Sequence, residues 1–264
     1  MMTKIVLFVL LFISCDSNHL SSRILNGNIV NTIDQFPYQV AIFARRNNLS
    51  LTLSSGAIIS CKFILTCAHC IKDSSQANIY YGMTSFDQIS EENYQVINNS
   101  SYRIHPNYST FKNDIAIMLT SHDIQFNDKI KPVRLPSRSE AFSNYEHSET
   151  LKLAAWGIYS NAQEISNNLL YANIQMLSTN ECERIFGSFL ITDQVICSQT
   201  LHCSGDSGSL LIDHNVDNDD FLAVGIASFA NYETCTEGVN HASAYMRVAS
   251  YLDFINEHTS LIVD

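Results

Sequence analysis

What most limits the folds open to this chain is the rhythm of its apolar residues. Short runs recur along it: "YQVAIF" (38–43), "AIISCKFILT" (57–66), "DIAIML" (114–119), "LKLAAWG" (151–157), "LLYANIQML" (169–177), "SLLI" (209–212) and "FLAVGIASF" (221–229). Loops rich in Asn, Ser, Asp and Gly separate them, so each reads as a short strand and the series reads as an all-β sandwich or barrel. Helical spacing is confined to "VASYLDFINEH", where Val248, Tyr251, Leu252 and Ile255 fall on one face and predict a C-terminal amphipathic helix. With 264 residues, 46% of them hydrophobic, the chain can bury a large core as one domain or two packed halves. No repeat or low-complexity linker marks a boundary.

The formal charge of -11, with no clustered Lys and Arg, excludes nucleic acid and an anionic membrane as expected partners. At the start, Lys4 precedes an apolar run from Ile5 to Ile13, the plan of a signal peptide over residues 1–17 and too short to cross a bilayer. A secreted, extracellular protein is expected. Of eight cysteines, all but Cys15 lie beyond this leader: Cys61, Cys67, Cys70, Cys182, Cys197, Cys203 and Cys235. In an oxidising compartment most should pair, and their odd number leaves at least one unpaired or bridged to another chain. Asn48, Asn98, Asn99 and Asn107 open N-glycosylation sequons.

The run "CSGDSGSL" (203–210) sets one hydroxyl, Ser207, among glycines and an aspartate. Read alone it is a solvated turn as readily as a nucleophile's seat. Serine becomes a nucleophile when a neighbouring base takes its proton and a third group fixes that base's tautomer. "LTCAHC" offers His69 after an apolar strand, and "FKNDIAIML" offers Asp114 at the mouth of another. Singly, His69 reads equally as a core histidine and Asp114 as the end of a loop.

Taken together, "RILNG", "FPYQVAI", "LTCAHC", "NDIAIML", "IKPVRLP", "AAWG", "CSGDSGS" and "YLDFI", in this order from Arg23 to about Ile255, resemble the chymotrypsin-fold (trypsin-like) serine proteases, most closely the arthropod chymotrypsin and collagenolytic branch. The resemblance implies two packed six-stranded antiparallel β-barrels with a C-terminal α-helix. It also implies a short propeptide at 18–23 and a peptidase domain at 24–264. Ser207 would be the nucleophile, His69 the base and Asp114 its orienting group, with the N–H groups of Gly205 and Ser207 as oxyanion hole. Cleavage after Arg23 would free the amine of Ile24 to pair with Asp206, so a zymogen is implied. Bridges Cys182–Cys197 and Cys203–Cys235 would brace the pocket loops.

The pocket positions implied by the resemblance are Leu201, Ser228, Ala230 and Ser243. Leu201 stands where trypsin-like members carry Asp, so a cationic side chain would meet an apolar floor without a partner. Cleavage after apolar residues is expected, and another, trypsin-like protease is expected to cut at Arg23. The family partner of Cys70 falls at Ser54, which removes the usual bridge beside His69. Cys61 could reach Cys70 in a shifted pairing, while a Cys67–Cys70 bridge is expected to strain the His69 turn. A further family bridge is replaced by Leu151 and Asp213. Ser209 and Ala155 stand where the family carries glycine. Met83 begins the segment matching the family's calcium loop, so no metal and no cofactor are expected. Expected partners are protein or peptide substrate, an activating protease and protein inhibitors. A protease-fold binding protein with weak or absent catalysis is the alternative.

Overall fold

The computed structural model describes residues 27–47, 50–140, 145, 151–157, 165–199, 204–215, 220–231 and 242–261. The leader, Arg23 and Ile24, Asn48, Leu201, Cys203 and Cys235 lie outside them.

The apolar runs become strands of two antiparallel sheets. The first holds β2 (Gln39–Arg46), β3 (Leu51–Ser60), β4 (Phe63–Thr66), β5 (Ser74–Tyr81), β6 (Tyr94–Asn98), β7 (Tyr102–Ile104) and β8 (Ala116–Leu119), in the order β6-β5-β2-β3-β4-β8-β7. The second holds β1 (Asn28–Ile29), β9 (Leu151–Ala155), β10 (Leu170–Asn173), β11 (Val195–Ser198), β12 (Leu210–Asn215), β13 (Asp220–Ala230) and β14 (Ser243–Arg247), in the order β1-β10-β9-β12-β13-β14-β11.

Each sheet has seven strands where six were expected, and each extra strand has a local reason. In the first sheet the two edges, β6 and β7, are one stretch of chain broken by a 3-10 turn at Asn99–Ser101, so the broken strand closes the sheet on itself. In the second, Met176 bridges Ser198, and Leu177 N–H donates to the Cys197 carbonyl at 2.9 Å. The chain leaving β10 thus reaches β11 and closes that edge, while β1 adds a short strand outside β10. The run 57–66, read as a single strand, is a hairpin that turns at Cys61 and Lys62.

Ile42, Ile58, Ile64, Leu65, Ile79 and Ile97 fill the first core, and Leu153, Leu211, Ala227 and Tyr245 are among the residues filling a second cluster. Chain ends strap the halves together. β1 pairs with β10 of the second sheet. The C-terminal helix, a 3-10 turn at Val248–Tyr251 followed by α3 (Leu252–Thr259), packs Tyr251 and Phe254 against His105 of the first half. Between the halves, Val133 N–H donates to Ile58 of β3, and Arg134 exchanges backbone bonds with Phe221 and Ala223 of β13. This seam carries the candidate site.

Candidate active site

His69 lies in α1 (Ala68–Ile71), a single helical turn entered from β4 through Cys67. The first N–H groups of a helix lack intrahelical partners, and Asp114 takes one of them: His69 N–H donates to Oδ1 at 2.8 Å. The same carboxylate meets the ring, with Nδ1 and Oδ2 2.6 Å apart. A carboxylate only accepts, so the proton sits on Nδ1 and the lone pair of neutral imidazole on Nε2. At the other end of the turn, the guanidinium of Arg46 bonds the carbonyls of Lys72 and, at 3.0 Å, His69.

Asp114 sits just before β8, after a turn in which Phe111 and Asn113 have φ of 70° and 53°. Asn tolerates that region, whereas a bulky Phe rarely enters it. The Phe111 ring is held against Phe229 at 5.0 Å, and the Asn113 amide donates to the Asn107 carbonyl at 2.9 Å. Asp114 is buried, and Ser228 Oγ donates a third bond to it, to Oδ2 at 2.6 Å. Burial pushes its carboxyl upward, but the bonds and charge of His69 and the Ser228 hydroxyl outweigh this and hold it below the usual carboxylate range.

Ser207 stands half-buried in the turn before β12, between Gly205 and Gly208, whose φ values are 96° and 83°. The first sheet grips this turn: Ser55 N–H donates to Ser207 O at 2.8 Å, and Ser55 Oγ to Gly205 O at 3.1 Å. The second holds it through Gly208 N–H to Ala227 O at 2.8 Å. A Cβ at Gly208 would stand 2.2 Å from the Ser55 carbonyl, and one at Gly157 would stand 2.0 Å from an oxygen of the buried Asp206. Both glycines are therefore fixed by space.

Ala230 on β13 and Ser243 on β14 are cross-strand partners, and Ser228 lies two residues before Ala230. Pairing of β13 with β12 stops at Leu210–Ile226, so the Ser228–Ala230 edge runs on beside the Ser207 turn. Asn98, Asn99 and Asn107 are exposed. Cys182 is joined to Cys197. Leu151 and Asp213 are direct cross-strand partners on β9 and β12, as replacements for a bridged pair would be. Met83 is fully buried in the first core.

The shifted Cys61–Cys70 pairing is corrected: Cys61 has no disulfide partner among the described residues, and Cys67 and Cys70 are bridged to each other. The turn of α1 brings their Cα atoms to 5.3 Å, within ordinary disulfide reach. Their sulfurs lie 3.7 and 4.0 Å from His69 Nε2.

A family model described as Trypsin matches residues 25–255. The chain belongs to the trypsin family. It is 29% identical over 248 residues to a collagenase of Hypoderma lineatum, covering 91% of this chain and 88% of that one. With a chymotrypsin of Phaedon cochleariae it shares 28% over 244 residues, 90% of this chain and 83% of the relative. The solved structure of HL collagenase superposes with a TM-score of 0.77 at 27% identity, covering 90% of this chain and 99% of the other. This trypsin-family chain is a serine endopeptidase, a hydrolase acting on protein or peptide. Among its described residues no helix is long and apolar enough to cross a membrane.

Several site residues of this peptidase went unread in the sequence. Ser55 and Thr66, whose Oγ1 donates to Ser55 O at 2.7 Å, sit in ordinary strand sequence and gain their role from the turn they meet. Phe186 packs edge-on against Phe229 at 5.2 Å, and Phe111 adds a third ring beside the Ser228–Ala230 edge. Phe111, three residues before Asp114, could have been found from its position.

Proposed function

We propose that the chain is a secreted endopeptidase that cleaves after apolar residues by a Ser207–His69–Asp114 triad, and that it is made as a zymogen opened by cleavage after Arg23. The observation that carries this reading is the grip of buried Asp114 on both the backbone N–H and the ring of His69, which leaves Nε2 as the only basic atom of that ring. In the reaction, Ser207 Oγ bonds to the scissile carbonyl carbon as its proton passes to Nε2, and the carbonyl electron pair moves onto oxygen. The N–H groups of Gly205 and Ser207 receive that oxyanion, where a preorganised donor is worth about 3 kcal/mol. His69 then protonates the leaving amine, and water repeats the sequence on the acyl-enzyme. Asp114 stays ionised, as its depressed carboxyl allows.

The small neutral side chains at Ala230 and Ser243, with Leu201 expected beside them, support an apolar preference, as does similarity to proteins named collagenase and chymotrypsin. The full burial of Asp206, at the position where the resemblance puts the carboxylate that meets the new amine, supports activation at Ile24. The apolar leader supports secretion, and exposed Asn98, Asn99 and Asn107 could carry glycans there.

The test is hydrolysis of peptides with Phe, Leu, Met, Ala, Arg or Lys before the scissile bond, after controlled cleavage at Arg23 and beside a Ser207→Ala control. Turnover favouring an apolar residue and lost in the control is expected. Full activity of an Arg23→Gln precursor would refute the zymogen. Failure of an active-serine phosphonate to label Ser207 would favour a binding protein on the protease fold.

A further inference from the structure

We propose that Cys67, His69 and Cys70, once the Cys67–Cys70 bridge is reduced, form a site for a thiophilic divalent cation of the zinc class on the His69 imidazole. The metal site itself stands on geometry; that its occupancy stops hydrolysis rests on His69 serving as the base.

Two cysteines with two residues between them on a tight turn are the usual half of a tetrahedral zinc site, and equally a dithiol open to oxidation. Here a third ligand lies between them in sequence and faces both. Nε2 is 3.7 Å from Cys67 Sγ and 4.0 Å from Cys70 Sγ, and the three ligand atoms lie within 4.8 Å of one another. For metal–sulfur bonds of about 2.3 Å and a metal–nitrogen bond of about 2.0 Å, the edges of a tetrahedron are about 3.5–3.8 Å. The nitrogen–sulfur edges are therefore nearly in place, and only the sulfurs must part.

His69 is also supported as metal-binding histidines usually are. Its other ring nitrogen meets a buried carboxylate, Asp114, at 2.6 Å, which fixes the ring and leaves the ligating lone pair on Nε2. Both sulfurs are buried, while the His69 side chain is 37% exposed and gives a cation its entrance and a water its place as fourth ligand. Two buried thiolates without a counter-charge would be strongly disfavoured, but with a divalent ion the three ligands make a neutral cluster. Cys70 Sγ also lies 3.1 Å from where a Cβ on Gly208 would stand, so the cluster abuts the turn that carries Ser207.

The chemistry balances as a gate. A dithiol or phosphine reductant supplies two electrons, the sulfur–sulfur bond breaks, and two protons complete the thiols. The cation then displaces those two protons and binds both sulfurs and Nε2. In the oxidised form the sulfurs are spent on each other and the imidazole is free for proton transfer.

The experiment uses the whole chain cleaved at Arg23, oxidised or reduced with a phosphine, and titrates it with cobalt(II) as the spectroscopic probe and zinc as the inhibitor. Reduced protein is expected to bind one cobalt with a sulfur-to-cobalt charge-transfer band, and zinc is expected to lower its hydrolysis at least tenfold, reversed by a chelator. The oxidised protein and a Cys67→Ser, Cys70→Ser double variant should show no band and less than twofold zinc inhibition. His69→Ala, read by cobalt affinity alone, should weaken binding at least tenfold. A missing band in the reduced protein, a band that survives in the double variant, or an equal band before reduction would overturn the proposal. Cobalt binding in a protein that never hydrolyses peptide would uphold the metal site and refute instead the catalytic role of His69.

Discussion

Replacing Gly208 by alanine tests whether the Ser207 turn is held by the first sheet. Ordinary van der Waals contact begins at 3.4 Å, and the new Cβ would stand 2.2 Å from the Ser55 carbonyl, so the turn must retreat by about 1.2 Å, the difference of the two. The obstacle is a backbone oxygen of β3, already accepting from Thr66, and it has little freedom to yield. A misplacement of about 1 Å in a reacting group costs about 100-fold in rate. Holding alanine at a φ of 83° adds about 1–2 kcal/mol of instability. Gly187→Ala separates the two effects, because Gly187 has a φ of 85° and nothing within 4 Å of its built Cβ. Gly187→Ala should lose only the stability due to its φ, whereas Gly208→Ala should lose more stability, by about 1–3 kcal/mol of overpacking, and about 100-fold in kcat/KM for a peptide substrate. Equal activity of the two, each assayed while folded, would refute the idea that Ser55 sets the position of Ser207.

Ser228→Ala removes a 2.6 Å bond to a buried carboxylate, and kcat should fall about tenfold, equivalent to about 1.4 kcal/mol, in steady-state kinetics. Because the Asp114 carboxyl is depressed in the fold, its contribution to stability is complete above the ordinary carboxylate value and is lost as pH falls through the native one. The Tm of Asp114→Asn should therefore lie below that of the parent at pH 7, and the gap should close below about pH 4 in calorimetry. Ser209 is fully buried, and its hydroxyl has no hydrogen-bond partner among the described residues. Ser209→Ala should add about 1 kcal/mol and raise Tm by about 2–4 °C.

The fold was legible where a strand or helix announces itself locally, as in Gln39–Arg46, Asp220–Ala230 and the C-terminal helix. It was not legible where one apolar run serves two strands, because Cys61 and Lys62 turn the chain without glycine or proline. The helix α2 (Thr179–Phe186) was missed although Ser178 and Glu181 form a capping box and Gly187 follows its end. Only Cys182 is buried on it, so its apolar spacing is faint. At the site, the residue types and neighbours of His69, Asp114 and Ser207 marked them, and the structure brings His69 and Asp114 into contact. Ser55 could not be read, because its partner is a turn some 150 positions away. The spacing of Cys67 and Cys70 was visible, but their pairing depended on the pitch of α1.

His69 and Asp114 ride on one sheet and Ser207 on the other, joined by the Ser55–Ser207 bond and the strapping of the chain ends. On the proposed triad neither half holds a working set of reacting groups, so peptide hydrolysis becomes a gauge of their docking rather than of their folding. A slip of about an ångström along the seam, with every strand intact, is enough to silence it. Under mild denaturant, catalysis should consequently vanish while both sheets still give their full circular-dichroism signal.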